Sequence, residues 1–340
     1  MSWAPALLPA WQPPVGGGWW TDGGAALDLN FANGVVDPVV TFTRASAANY
    51  VNYAGVITSA ATDAPRIDYD PVTLACRGLL IEEQRTNLLL NSATLSTQNV
   101  TTSATPYTLS FYGTGTVTLS GTSTAGPLVG TGAYPNRVTL TFTPTAGTLT
   151  LTVTGSVTSA QLEAGSFATS YITTTGATAT RAADVAVVSG AAFSAFYNSA
   201  AGTFVVSGHT TDGFSGVTRR LMEVNDGTAG ERFTVGMQNA TTARFLVTDA
   251  AAVADVGVTV TSMPARVVIA GSYAVNDVKA AANGTAGTAD TSLTLPTVTQ
   301  MVIGADLASP TATQMANGHI ERIRYYRTAL PQATLDALTA

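Results

Sequence analysis

Sixteen of the fifty residues from 101 to 150 are threonine, and they alternate with apolar side chains. The runs YTLSFYGTGTVTLSG, RVTLTFTP and GTLTLTVTG are separated by Gly and Pro. A period of two sends the apolar set to one face and the hydroxyls to the other. Threonine branches at Cβ, which loses entropy in a helix but packs well on a pleated surface. These runs therefore read as half-buried antiparallel strands, and several short ones with regular turns predict a β-sandwich.

Composition agrees with an all-β chain and excludes several functions. Its 340 residues allow two or three domains, each with its own core. Only 11% of residues are charged, against roughly a quarter in ordinary domains, so Thr, Ser, Asn, Gln, Gly and Ala must build the surface. Net charge is −6 and Lys279 is the sole lysine. No basic stripe exists to displace counterions, which argues against nucleic-acid binding.

Cys76 is the only cysteine, so no intrachain disulfide or cysteine-based zinc site can form, and it reads as a small buried side chain. The two histidines, His209 and His319, lack metal-binding spacing. No cofactor is expected, although a carboxylate–carbonyl calcium site stays open. No run of about eighteen apolar residues is present. The N-terminus has no basic segment before Arg44, and Pro5, Pro9, Pro13 and Pro14 interrupt its apolar residues. It does not read as a secretory signal, and the expectation is a chain assembled in the cytoplasm.

Residues 1–24 hold all four tryptophans, Trp3, Trp11, Trp19 and Trp20, among prolines and a GGG run. Proline at this density favours extended chain. So short a segment cannot bury four indoles within itself. It reads as an arm packed on its own domain or an attachment anchor, and the concentration of Trp leans toward the anchor.

Residues 25–91 form a β region with turn signals at Asn33-Gly34 and Asn52 to Gly55. Within it, GLLIEEQRTNLL is read as a strand entering a loop rather than as a helix. Residues 92–178 are the Thr-rich sandwich. Residues 179–340 carry further strands in GTFVVSGH, RRLMEVND, RFTVGMQ, ARFLVTD, RVVIAGSY, QMVIGAD and HIERIRYYRTAL, with a tight turn at Asn283-Gly284. After them, Pro331 suits the first turn of a short helix whose Leu335 and Leu338 share a face.

FTRAS, PRIDYDP and GLLIEEQRTNLL, between Phe42 and Leu89, resemble the signature of a family of bacteriophage and prophage virion proteins, the tail fibres, head fibres and surface spikes. SAQLEAGSFATSYITTTGATATRAADV (159–185) is similar to the close of jelly-roll modules in such proteins. GHIERIRYYRTALPQATLDALT is similar to the end of concanavalin A/laminin G-like jelly rolls. The resemblance implies all-β architecture, antiparallel jelly-roll and concanavalin A-like sandwiches behind an extended N-terminal arm. It also implies a virion-surface location, contacts with other virion proteins through the arm, homo-oligomers (a trimer, or a pentamer at a fivefold vertex) and binding of host envelope or capsule polysaccharide.

Little in the chain points to a reaction. Asp68 and Asp70 could hold calcium or act as acid and base, but before Pro71 a turn is the better reading. Glu82 and Glu83 would face opposite sides of a strand. Glu83, Arg85 and Asn87 read as a structural network. Glu163 and Asp184 read as strand-end hydrogen-bonding groups. His209 with Asp212 lacks a nucleophile elbow, and His319 reads as structural. Sugar rings stack on aromatic faces while their hydroxyls take hydrogen bonds, which nominates Tyr107, Phe111, Tyr112 and Tyr134 in the middle sandwich. Phe214, Asn225, Asp226 and Tyr273 are nominated in the last. The alternatives to a glycan-binding fibre are a polysaccharide depolymerase on the C-terminal domain and a ligand-free capsid or tail decoration protein.

Overall fold

The computed structural model describes residues 24–210, 218–260 and 266–340. The four tryptophans, Asp212 and Phe214 lie outside them. Among the described residues the regular structure is almost entirely strand, organised as two antiparallel sandwiches.

The larger sandwich pairs an eight-stranded with a seven-stranded sheet. The first runs in the order Thr285–Ala286, Asp277–Ala282, Val267–Ala274, Ala201–Thr210, Gly318–Tyr326, Cys76–Ile81 and Ile67–Tyr69. Leu27–Asn30 also pairs with Gly318–Tyr326. The second runs Thr41–Thr43, Val185–Ser189, Gln300–Ile303, Arg219–Asn225, Glu231–Asn239, Thr242–Asp249 and Ala252–Thr259. Residues 25–91 thus lend strands to both sheets of the C-terminal sandwich. Their Leu29, Phe31, Phe42, Leu79 and Ile81 share one core with Phe204, Phe233, Phe245 and Tyr325.

GLLIEEQRTNLL is strand as read, in two pieces, Cys76–Ile81 and Arg85–Asn87. The Asn283-Gly284 turn has positive φ at both residues, the geometry of a two-residue hairpin. The terminal helix, Gln332–Thr339, starts after Pro331. It buries Leu335 and Leu338 against Val205, Val268 and Ala281 on the outside of the eight-stranded sheet.

Packing at the centre of the large sandwich leaves no spare room. A Cβ on Gly271 would lie 2.3 Å from ring atoms of Phe245. Gly271→Ala is therefore expected to lower stability by about 1–3 kcal/mol through overpacking, a change readable as an earlier urea midpoint at unchanged slope.

The Thr-rich stretch forms the smaller sandwich. One sheet orders Leu128–Val129, Thr116–Gly121, Gly147–Thr154 and Gln98–Thr102; the other orders Val138–Phe142, Tyr107–Gly113 and Val157–Ala164. Leu109, Phe111, Val117, Leu149, Leu151 and Leu162 fill the space between them. The chain enters and leaves this module through a two-stranded ribbon, in which Arg85–Asn87 pairs with Ala179–Arg181.

Candidate functional site

Where the ribbon joins the sandwiches, charged side chains are buried together. Arg44, Arg66, Arg181 and Asp184 are at most 1% exposed, and Glu82 is 3% exposed. Arg66 bonds Glu82 at 2.8 Å and Asp184 at 2.5 Å, Arg44 bonds Asp184 at 3.1 Å, and Arg181 bonds Glu82 at 2.9 Å. The Ser170 amide and hydroxyl donate to Glu82, and the Glu82 amide donates to Asp184. Burial opposes the Glu82 charge, but Arg181 and Arg66 outweigh it and hold the carboxyl well below the usual carboxylate range. Burial likewise opposes the Arg66 charge, and Asp184 and Glu82 overcome it, so Arg66 stays protonated.

Beside this network a cleft of roughly 170 Å³ opens between the two sandwiches. The hairpin of Ala48–Val51 and Ile57–Ala60 supplies Asn49, Tyr50, Val51 and Ile57 to one wall. Three neighbouring strands of the eight-stranded sheet, Ile67–Tyr69, Cys76–Ile81 and Gly318–Tyr326, supply Asp68, Arg77, Leu80 and His319. The small sandwich supplies Tyr112, Arg137 and the segment 168–171.

At one end of the cleft, Ile320 faces the core, so its neighbour His319 faces outward. There it meets its cross-strand partner His209, Nδ1 to Nε2 at 3.0 Å, with the rings stacked 4.7 Å apart. Its Nε2 bonds Asp68 Oδ2 at 2.8 Å, while the Val51 amide donates to Asp68 Oδ1 at 2.6 Å. Burial, then the neighbouring His319, lowers the His209 pKa from 6.5 to about 3. Across the cleft, Tyr112 meets Tyr134 edge-on at 5.3 Å, and the Tyr134 hydroxyl donates to the Gly55 carbonyl at 2.7 Å. Burial pushes the Tyr134 hydroxyl up to about 12. Arg137 donates to the Thr169 carbonyl and to Ser110 Oγ, each at 2.7 Å.

The residues nominated from sequence fall in different places. Tyr112 lines the cleft and Tyr134 backs it. Tyr107 and Phe111 belong to the small core. Tyr273 is a core side chain with no exposed surface, its hydroxyl shared with Tyr325 at 2.8 Å and donated to Asn198 O. Asn225 is buried and ties Glu223, Asp306, Gly227 and Gln300, whereas the exposed Asp226 caps a local turn at Thr228. Tyr107, Phe111, Tyr273 and Asn225 are thus buried, while Asp226 stays at the surface.

Glu83 pairs with Arg85 at 2.6 Å and accepts from Asn317. Asn87 bonds backbone instead, at Ala160, Ile172, Leu89 and Leu162. Asp70 forms the turn before Ala75 and pairs with Arg77 at 2.7 Å, while Asp68 turns inward to His319. Glu163 accepts from Gln161 and Thr169. Cys76 is partly buried, and burial pushes its thiol up.

Among the described residues, no three His, Cys, Asp or Glu side chains converge to hold a metal ion, and no helix is long and apolar enough to cross a membrane. Sequence reasoning missed the five-membered ion network, the histidine pair, Tyr50 and Arg137. A faint signal did exist, since eight of the chain's few charged residues, Arg44, Asp63, Arg66, Asp68, Asp70, Arg77, Glu82 and Glu83, cluster between 44 and 83.

What this site and fold define is a two-sandwich, all-β protein with a polar, tyrosine-lined cleft at the junction. No family model matches the chain, and no curated protein does. Among solved structures, it is similar to the Ruminococcus gnavus IT-sialidase CBM40 bound to α2,3-sialyllactose, with 22% identity and TM-score 0.37 over 42% of this chain and 84% of that one. The leech intramolecular trans-sialidase is similar at 17% identity and TM-score 0.36, over 42% and 23%. The NanB sialidase of Streptococcus pneumoniae, as its K499G mutant, is similar at 13% identity and TM-score 0.37, over 44% and 26%.

Proposed function

We propose that this protein is a surface component of a phage or phage-like particle, a fibre or spike that binds host envelope or capsule glycans in the cleft between its sandwiches. The observation that carries the glycan half is the cleft itself. Tyrosine rings beside fixed hydrogen-bonding groups suit a sugar ring, which offers C–H faces to the rings and hydroxyls to the polar groups. The particle half rests on the resemblance of FTRAS, PRIDYDP and GLLIEEQRTNLL to virion proteins.

Binding alone is the reading the cleft favours over cleavage. Glycoside hydrolysis needs two carboxyl groups free to act on substrate. Both cleft carboxylates are engaged, Asp68 by His319 and Val51 and Glu82 by Arg66, Arg181 and Ser170. Incubation with purified capsule should yield retention of the polysaccharide without new reducing ends. Immunogold labelling of particles from the producing strain should place the protein on their surface. Particles that take no label, or release of reducing ends, would overturn the corresponding half.

A further inference from the structure

We infer that the cleft selects a saccharide unit bearing a carboxylate, seated against Arg137 and Arg77 and beside Tyr112. This deepens, and rests on, the glycan-binding reading above. The charged groups of the walls have donors left to offer and few acceptors. Both oxygens of Asp68 and both of Glu82 already take protein donors. Arg77, by contrast, lines the cleft and commits one Nη to Asp70 on a side chain 37% exposed, so its guanidinium keeps further N–H groups to offer. Arg137 meets no carboxylate within ion-pair distance among the described residues. Its two Nη atoms go to a neutral carbonyl and a neutral hydroxyl, and its Nε has no partner there.

A guanidinium carries five donors in a planar fork that matches a carboxylate. A partly buried guanidinium without a counter-ion is costly, and an anion would relieve that cost. A neutral sugar brings hydroxyl donors as well as acceptors, and no charge to balance the guanidiniums. A carboxylate brings acceptors only. The surplus in the cleft therefore favours an acidic unit over its neutral counterpart.

The test uses the full chain and a panel of acidic capsular polysaccharides, each measured again after chemical reduction of its carboxyls to alcohols. Binding to one or more acidic members is expected, weakening at least tenfold on carboxyl reduction. Arg137→Gln should weaken binding to the unreduced form by roughly 10–100-fold, the loss of one charge-assisted contact. Arg77→Gln, at a half-exposed position, repeats the test should Arg137→Gln fail to fold. Arg327→Gln, a surface control, should bind as the parent does. Equal binding before and after reduction overturns this inference and leaves the glycan-binding proposal standing. Absence of binding to every polysaccharide, acidic or neutral, overturns both.

Discussion

Replacing Asp184 with alanine is expected to cost about 3–5 kcal/mol of folding stability, the range for breaking a buried ion pair from one side. Asp184 is the hub of the junction, taking Arg44, Arg66 and the Glu82 amide on its two oxygens. Its removal leaves two guanidiniums buried with one remaining carboxylate, Glu82, which Arg181 already shares. Asp184→Asn keeps the shape and one hydrogen-bonding oxygen, so its loss should be smaller. Asp255→Ala, which removes a half-exposed partner of Arg244, should stay within about 1 kcal/mol. Urea unfolding of the three variants at pH 7 checks the ranking. An Asp184→Ala midpoint equal to that of Asp255→Ala would mean that water enters and solvates the arginines.

Acid should weaken the fold well before the ordinary carboxylates titrate. The His209 pKa is about 3 in the folded chain against 6.5 for a free histidine. The unfolded chain therefore takes up a proton first as pH falls. Stability contributed by neutral His209 is complete above pH 6.5 and is lost progressively between 6.5 and about 3. At about 1.4 kcal/mol per unit, the loss reaches roughly 3–4 kcal/mol by pH 4. The other ionisable groups near the pair are Asp68, Arg77 and Arg266. His209→Gln should flatten the profile between pH 6.5 and 4, leaving only a fall at lower pH. That later fall belongs to carboxyls held below their usual range in the fold, Glu82 by Arg181 and Arg66 and Asp70 by the Thr73 amide and Arg77, whose contributions disappear as they protonate. Urea midpoints measured at half-unit steps would separate the two. A parent protein with flat stability from pH 7 to 4.5 would refute the histidine assignment.

What the sequence disclosed depends on how local the cause is. Period-two Thr runs name their own strands, because alternation and Cβ branching act within a few residues. Asn283-Gly284 and Pro331 likewise announce a turn and a helix start from their own backbone chemistry. The site is different. Asp184 is 140 residues from Arg44 and 118 from Arg66, and His319 is 251 from Asp68. Such partners are chosen by sheet order, which spacing does not encode. Single residues of the same type therefore diverged, with Tyr112 at the cleft and Tyr273 in the core. The strand Cys76–Ile81 could be read as a strand, but not as a neighbour of the strand formed by residues 318–326.

The narrow ribbon of Arg85–Asn87 and Ala179–Arg181 sets how the molecule would bear a load. A pull on the small sandwich passes through two adjacent strands that leave the large sandwich together. Standing alone, their few ladder bonds would break in succession. Glu82 and Arg181 lie at the base of the ribbon, clasped by Arg66 and by Ser170 from the far side. The buried charges thus act as a rivet at the neck, and rupture force should follow the integrity of that cluster more closely than the number of strands in either sandwich.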